Sequence, residues 1–219
     1  MDAVILAAGI GSRMKQNYPK QFIEIGGKPM FIYSLEVLRL SKHIDNIILT
    51  CNKLSMDLYE KYINEFHIDN VKCIVGGEIR QQSVYLALKL VESEKVLIHE
   101  AARPLISVDF VDSIINSYLP DAVIPTIPVS FSIIEGDKTI EKELTRDRMK
   151  NVQLPQVFNT KKLLDAHSQS IIDNYSTTED GMLLFHYGGT VNLVNGRESN
   201  IKITTPLDLE IVEKLLKLA

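Results

Sequence analysis

The sequence predicts an α/β fold: a single domain on an open, mostly parallel sheet, with a β-hairpin arm protruding from it. Three observations predict this. Short apolar runs recur along the chain, each bounded by turn or charged residues. Amphipathic helical patterns fill the intervals, the alternation that a parallel sheet with right-handed crossovers produces. Residues 130–144 break the alternation with a turn signal between two β-leaning runs.

The first strand is "AVILAA" (3–8), apolar at every position as a strand covered by helices on both faces requires. A helix over 30–41 follows Pro29, a residue suited to a helix's first turn. The strand "NIILTC" (46–51) leads to a helix over 55–66 with Ser55 as candidate cap, then to the strand "VKCIVGG" (71–77). A helix over 80–93 places Val84, Leu86, Ala87, Leu88 and Leu90 largely on one side. The strand "KVLIHE" (95–100), a helix over 108–119 with Asp109 near its start, and the strand "DAVIPT" (121–126) complete the alternation. Glu135-Gly136-Asp137 then marks the hairpin turn of the arm at 130–144. Residues 188–219 read as a strand, a polar loop, a short strand and a closing helix opened by Thr205-Pro206. With no repeat, low-complexity tract or linker, residues 1–219 form one domain.

Composition narrows the chemistry. The net charge of −4 provides no global basic field for nucleic acid or anionic lipid, so any anion must be held by a local cluster of Lys and Arg. Cys51 and Cys73 have neither CxxC spacing nor a nearby histidine pair, which argues against a disulfide framework or zinc site. No basic leader and no membrane-length apolar run is present, so the expected location is the cytoplasm.

The candidate site begins at "AAGIGSRM", directly after the first strand, where open α/β sheets collect ligands. Glycines let backbone N–H groups approach phosphate oxygens, while Arg13 and, in the following "PKQ", Lys20 add cations. A dinucleotide fingerprint needs a third glycine where Met14 stands, and a P-loop needs a Gly-Lys-Ser/Thr that is absent. A tight turn without a ligand is the bland alternative.

"AAGxGxRM…PKQ" resembles the signature of sugar-nucleotide pyrophosphorylase-like enzymes. With "GGEIRQQSV" (76–84), "HEAARP" (99–104), "LPQVF" (154–158) and "NIKITTPLDL" (200–209) in the same order, the whole chain is similar to the cytidylyltransferases that make CDP-linked polyols. These act on 2-C-methyl-D-erythritol 4-phosphate in isoprenoid synthesis or ribitol 5-phosphate in wall polymers. The resemblance implies a Rossmann-like nucleotide-diphospho-sugar transferase fold, CTP and a small polyol phosphate as substrates, Mg²⁺ as cofactor, and a homodimer exchanging the hairpin arm. It implies that Arg13 and Lys20 bind the triphosphate and that Lys202 meets the α-phosphate from the opposite side. It implies a cytosine pocket from Ala7, Ala8, Gly9, Gly76, Gly77, Arg80 and Ser83, with Gly11 also binding CTP. Glu100, where the family has Asp, would ligate the metal. Arg103, Arg146 (or Arg148), Thr178 and Ser132 would bind the acceptor.

The acceptor side departs from the family's pattern. Phe131-Ser132-Ile133-Ile134 replaces Asp-Thr-Ile-Lys, Gln153-Leu154-Pro155-Gln156 lacks a threonine, and Thr178-Glu179-Asp180 stands for the "TDD/TDE" motif. Methylerythritol phosphate is the expected acceptor, ribitol 5-phosphate or another alditol phosphate the alternative. A non-catalytic nucleotide-binding paralogue is the reading from a different class.

Overall fold

The computed structural model describes residues 1–9 and 19–217. Strand β1 (Asp2–Leu6) lies in the middle of the main sheet, paired in parallel with β4 (Asn46–Cys51) and β6 (Lys95–Glu100). Strand β5 (Val71–Val75) extends the β4 edge, also in parallel. On the other side, β11 (Gln156–Asn159) runs antiparallel between β6 and β7 (Ala122–Pro128). Val123 pairs with Val157 and Asn192, and Thr126 with Val152 and Asn195. So β10 (Lys150–Val152) and β11 share one edge of β7, while β12 (Val191–Asn195) holds the other. The step from β10 to β11 passes through a cis Leu154–Pro155 bond. Two short ribbons stand apart: β2 (Glu24–Ile25) with β3 (Lys28–Pro29), and β8 (Ile134–Glu135) with β9 (Lys142–Glu143).

The parallel strands are apolar on both faces because each face has its own core. Ala3 and Ile5 of β1 join one cluster and Val4 the other; in β6, Leu97 faces the first and Val96 and Ile98 the second. The first cluster lies beneath α1 (Met30–Leu40), α2 (Met56–Glu65) and α4 (Val108–Asn116). The second lies beneath α3 (Arg80–Leu88), α5 (Thr160–Ile172) and α6 (Asp180–His186). A smaller third cluster joins distant parts of the chain: Ile23, Ile25 and Met30 pack with Ile203 and with Val212 of α7 (Pro206–Leu216). Thr205 closes a capping box with Asp208 at the start of α7.

Several expectations change. Helix α3 ends at Leu88, not at residue 93, because the Asp2 carboxylate accepts from the N–H groups of Glu92 and Ser93 and draws the chain toward β6. Leu86, on the outer face of α3, and Leu90, beyond its end, are exposed, while Val84, Ala87 and Leu88 are buried. Ser55 occupies the N-cap position of α2 without a side-chain cap bond; Asn52 caps the preceding turn through Leu54 N–H. The short strand expected near residue 202 is extended chain without a ladder, anchored by Ile203 N–H on the Ala102 carbonyl. Helices α5 and α6 were not anticipated, although Asn159 caps α5 by accepting from Lys162 N–H. The arm carries only the two-residue strands β8 and β9. At its turn, a Cβ on Gly136 would meet the Thr139 carbonyl oxygen at 2.1 Å, so glycine is required there.

Candidate active site

The carboxyl ends of β1, β4 and β6 open onto a cavity of about 540 Å³. Its described lining includes Ala8, Gly9, Lys20, Gly77, Arg80, Ser83, Glu100 and Lys202, contributed from both ends of the sequence. Packing of the third cluster explains the meeting. Ile23, directly after the turn Lys20–Phe22, packs in it with Ile203, and Lys20 Nζ donates to the Ile203 carbonyl at 3.1 Å. Ile203 is fully buried, which turns the neighbouring Lys202 the other way, toward the cavity.

The loop after β1 is held from behind. Ala7 N–H donates to the Thr50 carbonyl at 3.0 Å, and the buried Tyr59 hydroxyl donates to the Ala7 carbonyl at 2.7 Å. Ala7 therefore supports the site from below, leaving Ala8 and Gly9 on the cavity wall. Gln21 Nε2 donates to the Gly9 carbonyl. Opposite, a Cβ on Gly76 would sit 2.4 Å from Ala8 Cβ, so glycine there lets two loops touch. Ser83 Oγ accepts from Gly77 N–H at 3.0 Å and donates to the Ile79 carbonyl at 3.2 Å, shaping the glycine turn. Gly11 and Arg13 lie outside the described residues.

The charged groups form an alternating chain. Lys202 Nζ is 2.6 Å from Glu100 Oε2, and Arg80 Nε donates to Glu100 Oε1 at 3.2 Å. The Arg80 guanidinium continues to Asp180 at 2.7 Å and Glu179 at 4.0 Å. Burial opposes charge on Glu100, yet Lys202 and Arg80 outweigh it and hold the carboxyl down at about 2. Burial likewise works against charged Arg80, but Asp180, Glu100 and Glu179 raise its pKa further. Glu179 moves upward because burial dominates the pull of Arg80.

The residues expected at the acceptor are placed differently. Arg103 is buried, with NH1 donating to the Asn200 carbonyl at 2.8 Å and NH2 to the Val152 carbonyl at 3.5 Å. Ser132 and Thr178 are exposed, and Arg146 sits on an exposed 3-10 turn beside Asp147. None of these four is among the described residues lining the cavity. Leu154, where a hydroxyl is missing from the motif, is fully buried in the second core cluster, so its side chain faces away from the cavity. Sequence reasoning missed Tyr59, Gln21 and His167; for Gln21 the "PKQ" motif was the available signal.

A nucleotide-sized cleft at the strand ends, floored by closely apposed glycine loops and edged by two lysines, defines a nucleotide-binding α/β protein of the nucleotidyltransferase class. Comparison with known proteins narrows the class. The family model for IspD, 2-C-methyl-D-erythritol 4-phosphate cytidylyltransferase, matches residues 1–218. An enzyme of that name from Clostridioides difficile (strain 630) is 36% identical over 220 residues, spanning 98% of this chain and 93% of its own. One from Clostridium botulinum (strain 657 / Type Ba4) is 38% identical over 221 residues, spanning 98% and 96%. The crystal structure of 4-diphosphocytidyl-2C-methyl-D-erythritol synthase from Anaerococcus prevotii DSM 20548 superposes with a TM-score of 0.86 at 29% identity, over 99% of this chain and 95% of that one. The chain belongs to the 2-C-methyl-D-erythritol 4-phosphate cytidylyltransferase family.

Proposed function

We infer that this protein transfers the cytidylyl group of CTP to the phosphate of 2-C-methyl-D-erythritol 4-phosphate, releasing pyrophosphate, in isoprenoid biosynthesis. The observation that carries the reading is the meeting of Lys20 and Lys202 on one nucleotide-sized cavity, within a chain that matches the family along its length.

The acceptor phosphate is already anionic near neutral pH, its second pKa being about 6, so its oxygen attacks the α-phosphorus without a general base. The obstacle is the approach of two polyanions. Lys20 and Lys202, with Arg13, neutralise the triphosphate and the charge that grows on the α-phosphate; losing one such group costs on the order of 100-fold in rate. The glycine loops at Ala8–Gly9 and Gly76–Gly77 present backbone groups to cytosine, and Ser83 holds the second loop in shape.

Glu100 suits a divalent cation by donor chemistry. Its carboxylate faces the cavity, with Oε2 paired to the Lys202 ammonium at 2.6 Å and Oε1 accepting from Arg80 Nε. Mg²⁺ at phosphate-transfer sites is commonly held by one or two carboxylates together with substrate phosphates and water, so a single carboxylate such as Glu100 would suffice. Such an ion supplies Lewis-acid neutralisation of the phosphates.

The arm supports a homodimer. Phe131, Ile134 and Ile140 are exposed on a ribbon of two two-residue strands, which is unstable alone. An arm laid across a second subunit would bring Ser132 and Arg146 to the partner's acceptor site. No helix among the described residues is long and apolar enough to cross a membrane, in keeping with work in the cytoplasm.

Pyrophosphate release measured with CTP, Mg²⁺ and each candidate acceptor tests the reading. Turnover with 2-C-methyl-D-erythritol 4-phosphate is expected. Turnover with ribitol 5-phosphate alone would overturn the acceptor, and turnover with neither would return the protein to a nucleotide-binding role.

A further inference from the structure

The Thr178-Glu179-Asp180 motif does not reach the cavity through Asp180, yet Asp180 is the most deeply buried carboxylate of the site, 1% exposed. Its Oδ1 is 3.1 Å from Nε2 of His167, which is itself 1% exposed on α5. An ionised carboxylate only accepts, so that bond keeps the imidazole proton on Nε2. Oδ2 lies 2.7 Å from Arg80 NH1, and Arg80 Nε donates to Glu100, whose other oxygen meets Lys202. The contacts run without a break from His167 through Asp180, Arg80 and Glu100 to Lys202.

From this chain of contacts we propose that Asp180 and His167 are positioning residues, fixing the Arg80 guanidinium so that Glu100 holds Lys202 at the edge of the cavity. The proposal rests on the reading that Lys202 serves the reaction. Burying alternating charges is a poor way to stabilise a fold, because desolvation consumes most of the Coulombic gain. Orientation gives the arrangement a reason. An arginine has several rotamers, and three carboxylates around Arg80 leave one orientation that satisfies them together. Asp180 is the partner that cannot move: it opens α6, is sealed from solvent, and is braced from behind by a helix packed on the core. Glu179, half-buried and held by Gln156 Nε2 at 3.1 Å, is the weaker contact at 4.0 Å. In this account Arg80 orders the site and does not read the base.

The test is steady-state kinetics on Asp180→Asn, His167→Gln, His167→Leu and Lys202→Ala, with thermal unfolding to confirm folding. Asp180→Asn keeps the shape and removes the charge. The expected result is a kcat lower by about ten- to hundredfold, the scale on which outer-shell partners act, with the KM for CTP changed less than about threefold. His167→Gln, whose amide reproduces the Nε2 donor, should retain most of kcat, whereas His167→Leu should lose it. Adding Asp180→Asn to Lys202→Ala should cost little more, since both act on one group. A full further loss in the double variant would overturn the proposal, as would equal rates for His167→Gln and His167→Leu. If Lys202→Ala is slow but Asp180→Asn is not, the positioning role fails while the reading of Lys202 stands. If Lys202→Ala turns over normally, that reading itself fails. Should Asp180→Asn not fold, the His167 pair decides the matter alone.

Discussion

At the residue scale, His99 shows how the site controls protonation. It is fully buried at the end of β6, with Nε2 3.3 Å from the Arg103 carbonyl. Burial and the nearby Arg103 guanidinium push its pKa from 6.5 down to about 3. Between those values the unfolded chain binds a proton that the folded chain refuses. Stability therefore falls as pH falls from 6.5, by up to roughly 1.4 kcal/mol per pH unit from this group. Urea unfolding from pH 7 to 5 should show that slope, and His99→Gln should flatten it; a flat wild-type profile would contradict the assignment. Glu100 adds its loss only lower, as pH drops from about 4.5 toward about 2. Gly76 offers a second prediction. In Gly76→Ala the new Cβ would press 2.4 Å from Ala8 Cβ, displacing the loop that faces the nucleotide. CTP affinity, read by calorimetry, should weaken about tenfold or more, ~1.4 kcal/mol; unaltered affinity would show that the two loops do not need to touch. Single positions were also where sequence reading was weakest. The missing threonine at Leu154 looks like damage to an acceptor site until burial shows that the side chain belongs to the core. Arg80 lines the cavity, but nothing local reveals Glu179 and Asp180, far along the chain, as its partners.

At the element scale, β1, β4, β5, β6 and β7 were legible because strands covered on both faces are uninterrupted apolar runs. Element ends were less so: α3 stops short of the expected end, and beyond it the Asp2 carboxylate, at the start of β1, accepts from Glu92 and Ser93 N–H. Helices α5 and α6 went unread because their buried positions include His167, Ser170 and Asp180, polar residues that blur the helical period. The arm was legible as a hairpin, and its role toward a second subunit was an expectation from the resemblance. Among the described residues, two of its apolar side chains stay largely uncovered: Phe131 is 83% exposed and Ile140 69%. Replacing both by Ser should leave the core fold intact while shifting light scattering from a dimeric to a monomeric mass at micromolar concentration. A dimer that persists would place the interface elsewhere.

At the scale of the whole molecule, the account depends on two ends of one chain meeting. Lys20 follows the first strand and Lys202 precedes the last helix, and no local pattern states that they share a cavity. The third hydrophobic cluster brings this about: Ile23 and Ile25 from the N-terminal side pack with Ile203 and Val212 from the C-terminal side. The apolar packing thus sets two cations at one cavity despite their repulsion, with Glu100 between Lys202 and Arg80 offsetting part of it. Against an overall charge of −4, that local concentration of positive groups is what favours a triphosphate at this cavity. The most direct measurement is kcat of Lys20→Ala against wild type at saturating CTP, Mg²⁺ and 2-C-methyl-D-erythritol 4-phosphate. The account predicts a fall on the order of 100-fold or more, and a Lys20→Ala protein that turns over at the wild-type rate would contradict it.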